Sequence, residues 1–155
     1  MSNFIIRKMK ECDRAEVLSM MRAFYDSDAL IGTPGDDVIA RDFDDCLTSN
    51  PFVDGYIFER EGKAAGYAMC AKSYTTERGG LCVWIEDLYI KEPMRHLGAS
   101  GEFFSFIKTQ YPDAVRFRLE AEKDNANALR AYEKAGFSEL PYMQMVKEEE
   151  IKQYP

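Results

Sequence analysis

Two adjacent carboxylates sit in an apolar run, Trp84-Ile-Glu-Asp-Leu-Tyr-Ile90, just ahead of a basic pair and a small-residue turn, Arg95-His-Leu-Gly-Ala-Ser100. A strand that passes through a glycine-containing turn into a helix start is an anion site. The first N–H groups of a helix have no partner within it, and its dipole is positive there. An ionised carboxylate among apolar neighbours is costly unless paired or hydrated, and its pKa rises from a reference of ~4.3 towards neutrality. Together these features describe acid–base chemistry beside a bound phosphate compound. The loop lacks the closing Gly-Lys-Ser/Thr of a nucleotide-binding P-loop, and the dinucleotide fingerprint is also absent.

Each of these residues also has a plainer reading. Arg95 and His96 would serve as a solvated basic turn. Glu86 and Asp87, pointing to opposite faces of a regular strand, would serve as ion-pair partners of Arg116 or Arg118, or lie at a sheet edge. His96 stands in the loop and not in a triad, so it is not read as a base. Cys70 and Cys82 have no base beside them and are not read as nucleophiles.

A second stretch, Glu120-Ala-Glu-Lys-Asp-Asn-Ala-Asn-Ala-Leu-Arg-Ala-Tyr-Glu-Lys-Ala-Gly-Phe137, reads as a capped helix. Asp124 or Asn125 caps its start, and Gly136 ends it in the left-handed conformation. Asn125, Ala128 and Tyr132 are spaced by three and four and share one face.

Taken together, Arg95-x-x-Gly98-x-Ser100 and Asn125-x-x-Ala128-x-x-x-Tyr132-x-Lys134-x-Gly136-Phe137 resemble the two motifs of the GNAT-type N-acetyltransferases. Ser100 departs from the Gly or Ala of that family but is small enough to fit. The resemblance implies that Arg95, His96, Leu97, Gly98, Ala99 and Ser100 cradle the pyrophosphate of acetyl-CoA, with Asn125, Ala128 and Tyr132 also on that cosubstrate. It implies backbone contacts from Leu88 and Ile90 to the acyl carbonyl and pantetheine, where the strand splays from its neighbour. Tyr132, protonated at a reference pKa of ~10, would then be the general acid for the departing thiolate. The stretch Ile85-Glu-Asp-Leu-Tyr-Ile90 looks like the matching strand of diamine N-acetyltransferases. On that resemblance Glu86 is the base, directly or through water, and Asp87 a contact for a substrate ammonium or a structural group. The base is thus open between Glu86, Asp87 and water.

These segments need a scaffold, and the periodicity supplies one. A strand is read at 3–9, a helix capped by Asp13 buries Val17, Leu18, Met21 and Phe24 or Tyr25, and Gly32-Thr-Pro-Gly35 breaks the chain. A helix over 36–47 turns Val38, Ile39, Phe43 and Leu47 inward. A hairpin over 55–72 turns at Glu61-Gly62-Lys63. Then follow a strand at 81–90, a helix at 98–110, a strand at 115–121, the helix at 125–135 and a last strand at 137–146. This is a mixed α/β, or α+β, order. It predicts a central, mostly antiparallel sheet of about six strands flanked by about four helices, with one strand–helix–strand crossover. No repeat, linker or low-complexity tract divides the 155 residues, so one N-acetyltransferase domain over 1–155 is expected, with residues 147–155 fraying.

Composition narrows the partners. The net charge of -7 disfavours nucleic acid and anionic membrane and favours a small cationic amine. Asp36, Asp37, Asp42, Asp44 and Asp45 could add to that preference or form a solvated face. No apolar run is long enough to span a bilayer, and Met1 to Lys8 lacks a signal-peptide core. Cys12, Cys46, Cys70 and Cys82 are scattered and read as free thiols of a reducing cytoplasm, and one histidine leaves no histidine metal cluster, so no metal is expected. The expectation is a cytoplasmic acetyl-CoA-dependent N-acetyltransferase acting on a primary amine of a small, polyamine-like acceptor, with a homodimer as an optional assembly. The alternatives are a peptide or protein amine, an aminoglycoside or an amino acid as acceptor, or a non-catalytic acyl-CoA-binding module.

Overall fold

Two residues set the first long hairpin. Glu61 and Gly62 both have positive φ, 52° and 76°, the two-residue turn whose twist matches that of the strands it joins. It links β2 (Val53–Arg60) to β3 (Lys63–Thr75). A second turn, with Gly79 at φ 66°, leads into β4 (Gly80–Ile90). The computed structural model describes residues 3–27 and 33–152. Gly32 of the predicted break, and the last three residues of the fraying tail, lie outside the described residues.

β1 (Ile5–Lys8) pairs with β2, and the sheet order is β1-β2-β3-β4-β5. All neighbours are antiparallel except β4 and β5 (Ala114–Leu119), which are parallel. The crossover between them is α3 (Ala99–Gln110). The other helices are α1 (Arg14–Tyr25), α2 (Asp36–Leu47) and α4 (Ala126–Lys134).

Two cores result, one on each sheet face. Phe103, Phe104 and Ile107 of α3 pack against Tyr56, Phe58, Val83 and Ile85, with Tyr132 and Phe137 at the margin. Phe103 is fully buried with its ring 5.4 Å from that of Phe58; cutting it to Ala would cost about 3–5 kcal/mol. On the other face Val17, Met20 and Met21 of α1 and Ile39 and Phe43 of α2 cover Ile57, Tyr67 and Met69.

Asp13 does not cap α1 with its side chain. Its carboxylate takes two hydrogen bonds from Arg7, at 2.8 and 2.9 Å, and one from the Lys10 N–H at 2.8 Å. Arg7 also donates to Glu59 at 2.7 Å, so the buried acid ties α1 to the first two strands. A strong charged donor displaced the cap that the sequence suggested.

The predicted strand at 137–146 does not form, and the sheet has five strands among the described residues. Pro141 has no N–H to give a ladder. The Tyr142 N–H turns back to the Leu140 carbonyl at 2.8 Å, a tight turn in place of extended pairing. The Tyr142 hydroxyl is anchored on Glu77 at 2.8 Å, and Met143 and Met145 stand 89% and 91% exposed.

Candidate active site

The site starts from a fault in a ladder. Across β3 and β4, Asp87 pairs with Met69 and Ile85 with Cys70, which leaves Glu86 without a partner. Ile85 and Leu88, three apart, both pack in the α3 core, so strict alternation is broken at this extra residue. Ile85 and Leu88 lie on the α3 face and Asp87 on the other, against Tyr25 and Tyr67, so the regular alternation that would set Glu86 and Asp87 on opposite faces does not hold through the bulge. Bulges re-aim side chains, and Glu86 is left exposed while Asp87 is buried.

The same strand loses its other neighbour. Pairing between β4 and β5 ends at Ile85 and Leu119, whereas β4 runs on to Ile90. The strands therefore part, and a cleft of about 1070 Å³ opens between them. It is lined from one sheet face by Phe24 and Tyr25 and from the other by Phe104, Ala128 and Tyr132.

The loop after β4 prepares one end of this cleft. A single 3-10 turn, Glu92–Met94, is followed by His96 at φ 65° and Gly98 at φ 88°. Gly98 caps α3, and a Cβ added to it would meet no atom within 4 Å. An open cradle at a helix N-terminus, with a residue that tolerates left-handed backbone, fits the pyrophosphate of CoA. The first helical bond is from the Glu102 N–H to the Gly98 carbonyl, at 3.0 Å. Arg95 is held by its Nε on the Ile90 carbonyl at 2.8 Å, with its guanidinium 5.8 Å from the Tyr89 ring centre. Arg95, His96, Gly98, Ala99 and Ser100 line the cleft. Leu97 instead packs against the core, its carbonyl accepting from Asn3 at 3.2 Å.

α4 completes the opposite wall. Asn125 caps it, accepting from the Ala128 N–H at 3.3 Å. Its other end closes with Gly136 at φ 96°: the Gly136 N–H reaches the Glu133 carbonyl and the Phe137 N–H the Tyr132 carbonyl, both at 3.0 Å. This turn folds Phe137 back on Tyr132, whose ring also meets Phe104 edge-on at 5.9 Å. Burial raises the Tyr132 pKa, so its phenol stays protonated.

The cleft carries both signs of charge: Arg95, His96, Lys108 and Lys134 line it, and so do Glu86, Asp87, Glu120 and Glu122. The Glu86 pKa is raised, first by desolvation within the cleft walls and then by Asp87 and Glu120. The ion pairs weighed for the two acids do not form: Arg116 bonds Glu77 at 3.0 Å and Arg118 lies 4.0 Å over the Trp84 ring. Of the helix acids, Asp36 pairs with Arg22 and Asp44 with Arg14, on the solvent side. Asp42 looks inward, and burial with the Asp87 charge pushes its pKa up to about 6. Among the described residues no three His, Cys, Asp or Glu side chains are grouped to hold a metal ion.

The Tyr25 and Tyr67 hydroxyls, which meet at Asp87, were not singled out by sequence reasoning. The contact rests on the β3–β4 register, which sets Met69 opposite Asp87 and Tyr67 opposite Tyr89 and is not legible from one segment. Glu120 and Lys108 were missed as cleft residues too; each carries only a surface charge pattern.

Comparison with known proteins agrees with this geometry. The sequence model of the Acetyltransferase (GNAT) family matches residues 16–137, which takes in both motifs and the bulge. The chain belongs to the GNAT acetyltransferase family. As a GNAT enzyme it is an N-acetyltransferase with acetyl-CoA as cosubstrate. A possible acetyltransferase from Clostridium difficile 630 superposes with a TM-score of 0.79 at 21% identity, over 97% of this chain and 100% of that one. AAC(6')-Iy in complex with the bisubstrate analogue CoA-S-monomethyl-acetylneamine gives 0.78 at 14% identity, over 96% and 99%. A ribosomal-protein-alanine N-acetyltransferase from Brucella melitensis biovar Abortus 2308 gives 0.75 at 11%, over 94% and 99%. At these identities the likeness is one of fold. No curated protein matches the chain. No helix among the described residues is long and apolar enough to cross a membrane.

Proposed function

We propose that the chain, as one domain over residues 1–155, acetylates a primary amine of a small cationic acceptor by direct attack on acetyl-CoA. The observation that carries this reading is Glu86: an unpaired bulge residue, open to the cleft, with a raised pKa and, among the described residues, no cation in a salt bridge with it. Glu86 takes the proton of the attacking amine, and Tyr132 gives its phenolic proton to the departing sulfur. A free N–H of β4, at Leu88 or Ile90, polarises the acyl carbonyl. The backbone of residues 95–100 and the Arg95 guanidinium hold the phosphates, and Asn125 and Ala128 border the rest of the cosubstrate.

The acidic side chains Glu86, Glu120 and Glu122 in the cleft favour a further ammonium on the acceptor, as in a polyamine. An aminoglycoside is also polycationic, and the neighbour complexed with an acetylneamine analogue keeps that class in the test. The four cysteines are all free thiols, which fits a reducing cytoplasm, and a homodimer is compatible with this assignment.

The deciding experiment is release of CoA thiol from acetyl-CoA across polyamines, lysine analogues, aminoglycosides and peptides. Diamines or other polycations should turn over fastest. If glutamate or a neutral amine outruns all of them, the substrate class is wrong.

A further inference from the structure

Asp87 is 3% exposed, and its carboxylate accepts from two hydroxyls. The Tyr25 hydroxyl lies 2.8 Å from one oxygen and 3.0 Å from the other, and the Tyr67 hydroxyl lies 2.8 Å from the second. Tyr25 is the last residue of α1, and Tyr67 is a fully buried residue of β3. Their rings are fixed through Phe24, which meets Tyr25 at 5.2 Å and Tyr67 at 6.2 Å. Two elements thus grip the residue next to the unmatched Glu86.

We propose that Tyr25, Tyr67 and Asp87 form a clamp that pins the β4 bulge and so positions Glu86 in the cleft, Asp87 acting through Glu86 and not on the substrate. The proposal rests on Glu86 being the base. A bulge is a local two-versus-one mismatch that a strand can slip out of, and such a slip moves side chains to the other face. Two phenols anchored in different elements fix one register. Desolvation raises the Asp87 pKa overall, and the two hydroxyls partly offset that rise by favouring its carboxylate form, so loss of either hydroxyl shifts Asp87 towards its neutral form.

That charge then bears on Glu86. Tyr25 from α1 and Tyr67 from β3 touch Asp87, and its charge also bears on Asp42 and Cys46 of α2 and on Glu86 of β4; Arg41 bears on Asp42, and Glu120, just past β5, on Glu86. No cation in this group faces Glu86, so an ionised Asp87 raises the Glu86 pKa. Removing the charge lets Glu86 ionise at lower pH and makes it a weaker base.

The test is the pH dependence of kcat/KM for Tyr25→Phe, Asp87→Asn and Glu86→Gln in the full chain, with the best amine of the acceptor screen. Calorimetric acetyl-CoA affinity reports on the fold. Tyr25→Phe should lower kcat about tenfold with amine KM and acetyl-CoA Kd within about twofold, and move the acid limb to lower pH. Asp87→Asn should move that limb further. A purely structural clamp would change melting temperature and leave the limb in place. The proposal is overturned if both limbs coincide with that of the parent, or if Asp87→Asn raises the amine KM alone, as a direct substrate contact would. Should Asp87→Asn fail to fold, Tyr25→Phe decides, because it removes one hydroxyl at a helix end. If Glu86→Gln keeps the parent's acid limb, the base assignment fails and takes the clamp's role with it. If Glu86→Gln loses the limb while the other two variants do not shift it, only the clamp is wrong.

Discussion

The Phe137 N–H donates to the Tyr132 carbonyl at 3.0 Å, and the two rings meet edge-on with their centres 6.3 Å apart. The turn that ends α4 therefore also fixes the phenol at the cleft wall. Tyr132→Phe keeps the ring packing and removes only the proton donor. It should lower kcat by about 100-fold while leaving acetyl-CoA affinity unchanged. Steady-state turnover beside calorimetry checks this. A variant with the parent's kcat would reduce Tyr132 to a packing residue.

Gly98→Val should weaken acetyl-CoA binding severely. At φ 88° a branched side chain is strained by about 1–3 kcal/mol, and its bulk would stand in the open cradle before α3. Titration of the folded variant with acetyl-CoA measures it. Unchanged affinity would remove the phosphate role of the loop.

Arg95→Gln tests the charge at the same end. Its guanidinium is pre-set by the Ile90 carbonyl, and one charged hydrogen bond contributes about 1.5–3 kcal/mol, so acetyl-CoA Kd should rise at least tenfold. The salt dependence of Kd should also flatten. A Kd that retains its salt response would assign the phosphates to other groups.

Activity should rise with pH on the acid side. Glu86 is protonated below its raised pKa and accepts no proton there; it becomes a base as pH passes through that value. Tyr132 has its pKa raised as well, so the donor should not be lost below the ordinary tyrosine value of ~10. A kcat/KM profile showing an acid limb at the ordinary glutamate value would contradict the effect of the cleft walls.

How far did the sequence carry the site? Local signals did well where one segment contains its own reason. Glu61-Gly62 demanded its turn, Gly98 and Gly136 marked helix ends, and Asn125, Ala128 and Tyr132 fell on one face because helical spacing puts them there. The bulge at Glu86 was hidden, because a mismatch is a property of two strands. The Tyr25–Asp87 contact joins residues 62 apart and needed the fold itself. Residues 137–146 alternate like a strand, but Pro141 and the outward-facing Met143 and Met145 show that alternation without a partner forms no ladder.

Arg7→Ala should cost about 3 kcal/mol, since it strands the buried Asp13 carboxylate. The Arg7 hydrogen bond is the main cause of the lowered Asp13 pKa. The folded value lies below the unfolded one, so this stabilisation is present above the unfolded pKa and is lost as pH falls through the folded one. Melting curves of parent and variant should therefore converge in acid. Parallel curves down to strongly acidic pH would refute the coupling.

The parting of β4 from β5 makes the cleft a slot through the sheet and not a blind pocket. Phe24 and Tyr25 border it from one face of the sheet, Phe104 and Tyr132 from the other. Each of two reactants then has a sheet face of its own to lie against, with the unpaired edge of β4 between them.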